Sequence, residues 1–349
     1  MVKIYGKTTI WNKRLLNIVE GDNLYTYIGF GVIDRGTNVL QIRPTTMCVF
    51  NCIFCSVDAG PLSRNRFSEF IVEIDSLINT FNLIVRFKNC SVEALIDTIG
   101  EGLTYPHIFD LIMRLRSNPL VKSIAIETHG LIQSKTIVKK LEESGLDRIN
   151  LSIDTLNKEK AKYLMGVSWF NVEKVIEIAE YVVKETNIDL HVTPLWIPGV
   201  NDEDVIKVVE WAYKIGAGKK WPPATIQKYV VHRFGRKVPG VREISWSDFW
   251  KFIRIFEEKF GLRIKWSMEE WGMFRTLKYP CPYTKGDRLF VKILSPGVFR
   301  GEYLGFDADR NILVTVIGRS VRIGFNYLVE VIEDKDCLLI VKPIKEIHI

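Results

Sequence analysis

Three cysteines lie close together in the segment MCVFNCIFC, which spans residues 47–55. Cys48, Cys52 and Cys55 form a C-x3-C-x2-C arrangement. Thiolates are the usual protein ligands of iron–sulfur clusters. Three of them can hold three irons of a four-iron cluster, and the remaining iron then keeps an open position, as catalytic metal sites do. The pattern therefore predicts a reactant-binding iron–sulfur site. The alternatives are three buried cysteines in an apolar loop, or a zinc site that lacks one ligand.

The cysteine spacing, with the aromatic Phe54 directly before the third cysteine, resembles that of the radical S-adenosylmethionine (radical SAM) superfamily. The resemblance implies a [4Fe–4S] cluster on the three cysteines, and S-adenosylmethionine bound to the open iron through its amino and carboxylate groups. It also implies a low-potential electron donor as a partner, and cleavage of S-adenosylmethionine to methionine and a 5′-deoxyadenosyl radical. In such enzymes the cofactors supply the difficult chemistry, while the protein binds and orients them.

Four later stretches also resemble motifs of this superfamily: a Gly-Glu turn, a Thr-His-Gly turn, a Leu-Ser-Ile-Asp stretch and the segment TPLWIPGVND. The residues that the resemblance assigns to S-adenosylmethionine binding are Gly100, Glu101, Thr128, His129, Ser152, Asp154, Pro198 and Asn201. The chain departs from the pattern in two places, since no proline follows Glu101 and His129 stands where asparagine is usual. The resemblance covers about residues 38–240.

The elements that must position these residues alternate between short apolar runs and amphipathic helical stretches. Val121–Glu127 is typical of a buried strand, and Asn171–Glu185 of a long helix. Further helices are predicted over Phe70–Lys88 and over Asn201–Ile215, the second with Asn201 in its cap. About six such units predict an α/β fold with a partial (β/α)6 barrel, whose chemistry lies at the carboxyl ends of the strands.

The composition changes near Tyr283, and we expect three segments: an N-terminal extension (1–38), the barrel (39–283) and a small all-β domain (284–349). In the last segment, KGDRLFVKIL and RGEYLG resemble a TRAM domain, an RNA-binding β-barrel, so a TRAM- or OB-like barrel is expected. Its ten Lys and Arg residues against nine Asp and Glu do not by themselves indicate nucleic acid. A compact auxiliary domain that closes the main barrel is the alternative.

The segment Lys219–Arg242 contains seven basic residues, interleaved with aromatic ones, and no Asp or Glu. This composition suits phosphates and stacked bases, although a solvated rim of the barrel has the same composition. With the TRAM-like segment it favours a radical SAM enzyme that modifies RNA, most readily tRNA. The alternatives are a radical SAM enzyme acting on a small molecule or peptide, and a non-catalytic iron–sulfur protein that binds RNA.

The other three cysteines, Cys90, Cys281 and Cys337, are scattered along the chain. They offer no second cysteine triad. Such a triad is expected for the methylthiotransferases of tRNA and for the cyclase that rearranges GTP, which the Ser-Ile-Asp-Thr stretch also resembles. Cys281 lies between two prolines near the expected domain junction, where a radical-quenching or substrate-linked thiol would be useful. Its alternative is a structural cysteine.

The bulk composition is that of a folded globular protein. The chain has 349 residues, 47% of them hydrophobic and 26% charged, and a formal net charge of +7. It has no apolar run of membrane-spanning length, and its first residues lack the pattern of a signal peptide. We therefore expect a cytoplasmic protein with no membrane partner. The positive charge permits an anionic partner without requiring one.

Overall fold

The computed structural model describes residues 2–11, 14–132 and 134–347. The strands are β1 (Lys3–Ile10), β2 (Arg14–Glu20), β3 (Gly31–Asp34), β4 (Val39–Arg43), β5 (Ser68–Val72), β6 (Val92–Ile96), β7 (Val121–Thr128), β8 (Arg148–Leu151), β9 (Asp189–Val192), β10 (Leu195–Trp196), β11 (Gln227–Lys228), β12 (Arg288–Pro296), β13 (Glu302–Asp307), β14 (Ile312–Ile317), β15 (Asn326–Glu333) and β16 (Ile340–Ile347). The helices are α1 (Ile74–Lys88), α2 (Ile108–Arg116), α3 (Lys135–Glu143), α4 (Lys158–Met165), α5 (Val172–Glu185), α6 (Asp202–Ile215) and α7 (Trp246–Phe260).

The central sheet has the order β3-β4-β6-β7-β8-β9, in which β3 is antiparallel to β4 and the later neighbours are parallel. A parallel bridge from Val192 to Ala224 continues it, and β10 pairs in parallel with β11. Six parallel strand positions, β4, β6, β7, β8, β9 and β11, therefore curve around one interior. The predicted partial (β/α)6 barrel is confirmed.

The helices cover the outside of this sheet because their apolar residues recur at helical spacing. In α5, the residues Val175, Ile178 and Val182 are buried, and the helix begins where the Asn171 side chain accepts a hydrogen bond from the Lys174 N–H. The helix predicted over Phe70–Lys88 is wrong in its first turn. Residues 68–72 form β5, which pairs in parallel with β2, and α1 begins only at Ile74.

The residues before β4 are not a separate appendage. β1, β2 and β5 form a three-stranded sheet, and β3 joins the central sheet directly. The Arg14 guanidinium, which is buried, donates to the Gly60 carbonyl in the loop that follows the cysteines. The N-terminal strands therefore support the cysteine-bearing loop from one side.

The C-terminal residues form a closed barrel with the order β12-β13-β14-β16-β15, in which β14 and β16 are parallel. This is the Greek-key arrangement of an OB-like barrel, so the expected small β-barrel is present. A separate apolar core fills it, built around Val291, Val314 and Val329. The finer resemblance to a TRAM domain remains a prediction.

One face of this small barrel is covered by the rest of the chain. The Thr26 hydroxyl donates to the Leu313 carbonyl at 2.6 Å, and the Thr26 carbonyl accepts from the Leu339 N–H at 3.0 Å. Leu304 and Leu313, on β13 and β14, belong to the main hydrophobic core. In OB-folds the face formed by the second and third strands is the one that binds oligonucleotides. Here that face packs against the rest of the chain.

Cys281 forms a disulfide with Cys337, which lies in the small barrel between β15 and β16. The interpretation of Cys281 as a free radical-quenching or substrate-linked thiol is therefore wrong, because its sulfur is already bonded. The bond ties the segment before β12 to the far end of the barrel, across 56 residues of sequence. Within the described ranges, no helix is long and apolar enough to cross a membrane.

Candidate active site

A cavity of about 320 Å³ opens at the carboxyl ends of the parallel strands. Its wall includes Cys48, Cys52 and Cys55, which the loop after β4 supplies. Cys48 and Cys52 are buried, and Cys55 is partly exposed. The turns after β6, β7 and β8 also line it, together with Thr193, Leu195 and residues 227–230 and 232. The cavity lies at the end of the barrel where the strands meet the loops, which is the location that the sequence predicts for the chemistry.

Arg66, which is buried, and Arg236, which is partly exposed, hold the cysteine loop in place. Arg66 donates to the Thr46 carbonyl at 2.8 Å and pairs with Glu69 at 2.9 Å. Arg236 donates to the Cys52 carbonyl at 2.9 Å and pairs with Asp58 at 2.8 Å. Charge-assisted bonds of this kind are stronger than neutral ones, so the loop backbone is fixed before any cofactor binds.

Gly100 brings the turn after β6 against the same loop. A Cβ on Gly100 would lie 2.1 Å from the Met47 carbonyl oxygen, far inside contact distance. The Glu101 N–H donates to that carbonyl at 2.8 Å. Glycine is required at this position because only its backbone fits there, and the close approach sets Glu101 beside the cysteines.

The three cysteine sulfurs share one cavity but do not form a preassembled metal site. Cys55 Sγ accepts a hydrogen bond from the Ala59 N–H at 3.2 Å, and Cys52 Sγ lies 3.8 Å from the Met165 sulfur. Across the part of the chain that the structure describes, no three His, Cys, Asp or Glu side chains are arranged to hold a metal ion. Burial raises the pKa of the Cys48 and Cys52 thiols. Since metal-bound cysteine is a thiolate, cluster binding must displace their protons.

The Glu101 carboxylate is buried and accepts hydrogen bonds from neighbouring groups of the protein. It accepts from the His129 N–H at 3.0 Å and from the Leu103 N–H at 3.2 Å, and it interacts with the Thr128 side chain. Burial nevertheless raises its pKa to about 7, because these bonds only partly offset the loss of water. A cation placed beside it would favour its ionised form.

The residues predicted at the ends of β7 and β8 also line the cavity. His129 Nδ1 lies 3.2 Å from the Ser152 carbonyl oxygen, and burial lowers the pKa of its ring. The Ser152 hydroxyl lies 3.2 Å from that of Thr193. Asp154 accepts from the Leu195 N–H at 2.7 Å, and burial raises the pKa of its carboxyl to about 7. These polar groups line the same cavity as the three cysteines.

Two of the predicted cofactor contacts lie outside the cavity wall. Pro198 is not among the lining residues, and neither is Asn201. The fully buried Asn201 amide donates to the carbonyls of Asp154 and Leu195, and its oxygen accepts from the Ile197 N–H. It therefore has no side-chain group left for a ligand, and it makes no helix-capping bond to α6 either. Its role is to fold the turn that positions Leu195, which does line the cavity.

The cavity wall also contains polar residues that were not predicted as site residues from the sequence, among them Asp97, Glu127, Gln227, Lys228 and His232. Burial raises the pKa of Glu127 to about 8, and the neighbouring Asp97 charge adds to this effect. Gln41 donates to Asp97 at 2.9 Å, and Arg43 lies 3.8 Å away. The sequence does contain a signal for Asp97 and Glu127. Each lies at the end of an apolar strand, where a barrel places its catalytic groups.

The basic segment Lys219–Arg242 is not the continuous cationic surface that its sequence indicates. The Lys219 ammonium donates to backbone carbonyls at the end of α5, including that of Thr186 at 2.7 Å. Lys228 is buried and pairs with Glu243 at 2.5 Å. Arg236 donates to the Cys52 carbonyl in the cysteine loop. These three side chains therefore stabilise the fold instead of facing a partner.

A family model for the radical SAM superfamily matches residues 42–212. Among curated proteins, an uncharacterized protein of Methanocaldococcus jannaschii is 32% identical, over 96% of this chain and 82% of its own. The chain belongs to the radical SAM superfamily. A probable GTP 3′,8-cyclase of Pyrococcus horikoshii is 27% identical, over 71% of this chain and 72% of its own. Among solved structures, Streptococcus suis SuiB bound to precursor peptide SuiA matches with a TM-score of 0.49 and 19% identity, over 66% of this chain and 48% of that one.

As a radical SAM enzyme, the protein uses a [4Fe–4S] cluster and S-adenosylmethionine as cofactors. The donor chemistry of the cavity fits both groups. Three thiols on one loop are the ligands that such a cluster takes. A buried carboxylate with a raised pKa suits the amino group of S-adenosylmethionine.

Proposed function

We propose that Cys48, Cys52 and Cys55 hold the cluster, and that the remaining wall of the cavity binds S-adenosylmethionine. The observation that carries this assignment is that the cysteine loop and the turns after β6, β7 and β8 all border one cavity. Glu101 receives the amino group. Thr128, His129, Ser152 and Asp154 contact the remainder of the molecule.

When bound, the cluster and S-adenosylmethionine would supply the one-electron chemistry of the superfamily, with 5′-deoxyadenosine as the product that can be measured, and a low-potential donor would return the electron. The protein holds the reacting atoms at short range and excludes water. Arg66 and Arg236 contribute by keeping the cysteine loop rigid.

We propose that the substrate is a small polar molecule. The cavity of about 320 Å³ is near the lower end of the ~300–1,000 Å³ range of ligand sites, and it must also accommodate the cofactors. Three polar residues of its wall, Asp97, Glu127 and Gln227, suit a substrate that carries N–H donors. Carboxylates accept such donors from amines and from amino-substituted bases.

RNA modification is the second candidate, and the OB-like strand order of the C-terminal barrel favours it. Two observations weigh against it. The barrel face that OB-folds use for oligonucleotides packs on the enzyme domain through Leu304 and Leu313. Much of the basic character of Lys219–Arg242 is taken up by internal contacts.

The two candidates are separated by incubating the reduced, cluster-loaded protein and S-adenosylmethionine with either the small-molecule fraction or the RNA fraction of a cell extract. We expect the small-molecule fraction to increase 5′-deoxyadenosine formation over the substrate-free rate. Glu127→Gln should reduce this increase, whereas the exposed control Glu210→Gln should not. Stimulation by the RNA fraction alone would establish the second candidate instead.

A further inference from the structure

Three loops from distant parts of the chain meet beside the cavity. They are residues 63–67 after the cysteines, residues 232–236 after β11, and residues 297–301 between β12 and β13. The Arg300 N–H donates to the Asn65 carbonyl at 2.9 Å, and the Asn65 side-chain amide donates to the Phe234 carbonyl at 2.9 Å. The rings of Phe234 and Phe299 stack with their centroids 4.8 Å apart. The small barrel therefore contributes directly to this junction.

Each loop carries one exposed arginine at the junction: Arg64, Arg233 and Arg300. Asn65, Phe234 and Phe299 join the loops, and each of them is next to one of these arginines in the sequence. Within the described residues, none of the three forms a salt bridge. The Glu302 carboxylate, which is partly buried, accepts from the Phe299 backbone and interacts electrostatically with Arg233. The junction therefore carries a net positive charge.

The junction borders the cavity. His232, the residue before Arg233, lines the cavity wall. The Arg236 N–H donates to the Cys55 carbonyl at 2.8 Å, and a Cβ on Gly235 would lie 2.8 Å from the Ser56 carbonyl oxygen. The loop that presents Arg233 is thus packed against the cysteine loop itself.

The backbone that presents Arg64 is held in one position. The Asp58 carboxylate, which is buried, accepts from the Arg64 N–H at 2.9 Å and from the Asn65 N–H at 2.8 Å. Asp58 is also paired with Arg236. Because Arg236 neutralises the Asp58 charge, the Arg64 guanidinium does not pair with it. The Arg64 side chain is therefore available to a ligand.

We propose that Arg64, Arg233 and Arg300 bind the phosphate groups of the substrate while its reacting part enters the cavity. The guanidinium fork matches phosphate oxygens in a bidentate geometry, and it stays charged at any physiological pH. With the N–H-accepting carboxylates Asp97 and Glu127 of the cavity wall, the substrate class is a free nucleoside polyphosphate. This inference rests on the small-molecule function proposed above. The three loops that carry the arginines meet at one junction beside the cavity, which suits a polyphosphate better than a long RNA backbone.

The test measures binding of GTP, ATP and inorganic triphosphate to the cluster-loaded protein by calorimetry at two salt concentrations. The variants are Arg64→Gln, Arg233→Gln, Arg300→Gln and the triple substitution. Arg254→Gln is the matched control, because Arg254 is exposed on α7 away from this junction. We expect the triple variant to bind triphosphate at least tenfold more weakly and with a smaller salt dependence. The control should bind as the wild type does.

An unchanged triphosphate affinity in the triple variant, or no triphosphate binding by the wild type, would overturn the proposal. Tighter binding of single-stranded RNA than of any free nucleotide, lost in the triple variant, would assign the arginines to RNA. Substrate-free formation of 5′-deoxyadenosine is measured in parallel in the wild type and in the Arg254→Gln control, and it should be the same in both. Its absence in the wild type would count against the proposed function, and would leave the binding result to be judged separately.

Discussion

Glu101 is buried among hydrogen-bond donors that belong to the backbone, and in the described residues it has no Lys or Arg partner. Its pKa is raised to about 7 by burial, although three hydrogen bonds oppose the shift. An arrangement of this kind costs stability unless a cation completes it. The amino group of S-adenosylmethionine is the cation that we assign to this position.

Replacing Glu101 with Gln tests that assignment at the residue scale. The amide keeps the size of the side chain and removes its charge. Loss of a charge-assisted hydrogen bond of about 1.5–3 kcal/mol should weaken S-adenosylmethionine binding roughly 10- to 150-fold. Calorimetry on the cluster-loaded protein measures this, with Glu210→Gln as the exposed control. Equal affinities for the two variants would show that Glu101 does not contact the amino group.

At the scale of elements, the barrel interior is polar well below the cavity. Arg148, at the start of β8, pairs with Glu93 of β6 at 2.7 Å, and both side chains are almost fully buried. The guanidinium lies over the rings of Trp221 and Trp271, at 4.8 Å and 5.2 Å. This ion pair ties two strands that flank β7, and the tryptophans shield it from water.

Replacing Glu93 with Ala should destabilise the protein by about 3–5 kcal/mol, because it leaves the buried Arg148 charge without its partner. The matched control is Glu203→Ala on α6, which removes the partner of Lys207 in an exposed pair and should cost about 0.3–0.5 kcal/mol. Urea unfolding followed by circular dichroism gives both values. A loss below 1 kcal/mol for Glu93→Ala would show that the pair does not support the barrel.

The sequence predicts the central elements well because their signals are local. Buried parallel strands are continuous apolar runs, and the cysteine loop and Gly-Glu turn are short motifs. Phe70 was misassigned because one apolar stretch contains both a strand and the start of a helix, and only pairing with β2 separates them. The bonds that the Asn201 amide makes within the protein are not evident from the sequence, because they depend on the fold of the turn around it.

The sequence does not indicate which residues that are far apart in the chain come together in the fold. Asp97 and Glu127 stand 30 residues apart, yet they line one cavity because β6 and β7 are parallel neighbours. The basic character of Lys219–Arg242 is evident from composition, but the partners of Lys228 and Arg236 depend on tertiary contacts. The same holds for the junction of Arg64, Arg233 and Arg300.

At the scale of the whole molecule, the small barrel is built into the enzyme. Its β13–β14 face joins the main core, its β12–β13 loop packs against the loop after β11 through Phe299 and Phe234, and the Cys281–Cys337 disulfide fastens the segment that leads into it. The proposed phosphate contact of Arg300 depends on this attachment.

Replacing both Cys281 and Cys337 with Ser should lower the free energy of unfolding by about 2–4 kcal/mol, the usual effect of a disulfide that closes a loop of this length. Cys90→Ser is the control, since Cys90 is a free, half-buried thiol. Denaturant unfolding with and without reductant measures the effect. If reductant destabilises the double variant as much as the wild type, the disulfide is not the cause.

The central claim is that Cys48, Cys52 and Cys55 hold the cluster that cleaves S-adenosylmethionine, and one measurement addresses it most directly. Wild type, the three single Cys→Ala variants and Cys90→Ala are reconstituted with iron and sulfide, reduced, and assayed for 5′-deoxyadenosine. We predict product from the wild type and Cys90→Ala, and none from the variants at 48, 52 and 55, which should also lose the visible absorbance of the cluster. Product from any of those three variants at the wild-type rate, or none from the wild type, would contradict the account.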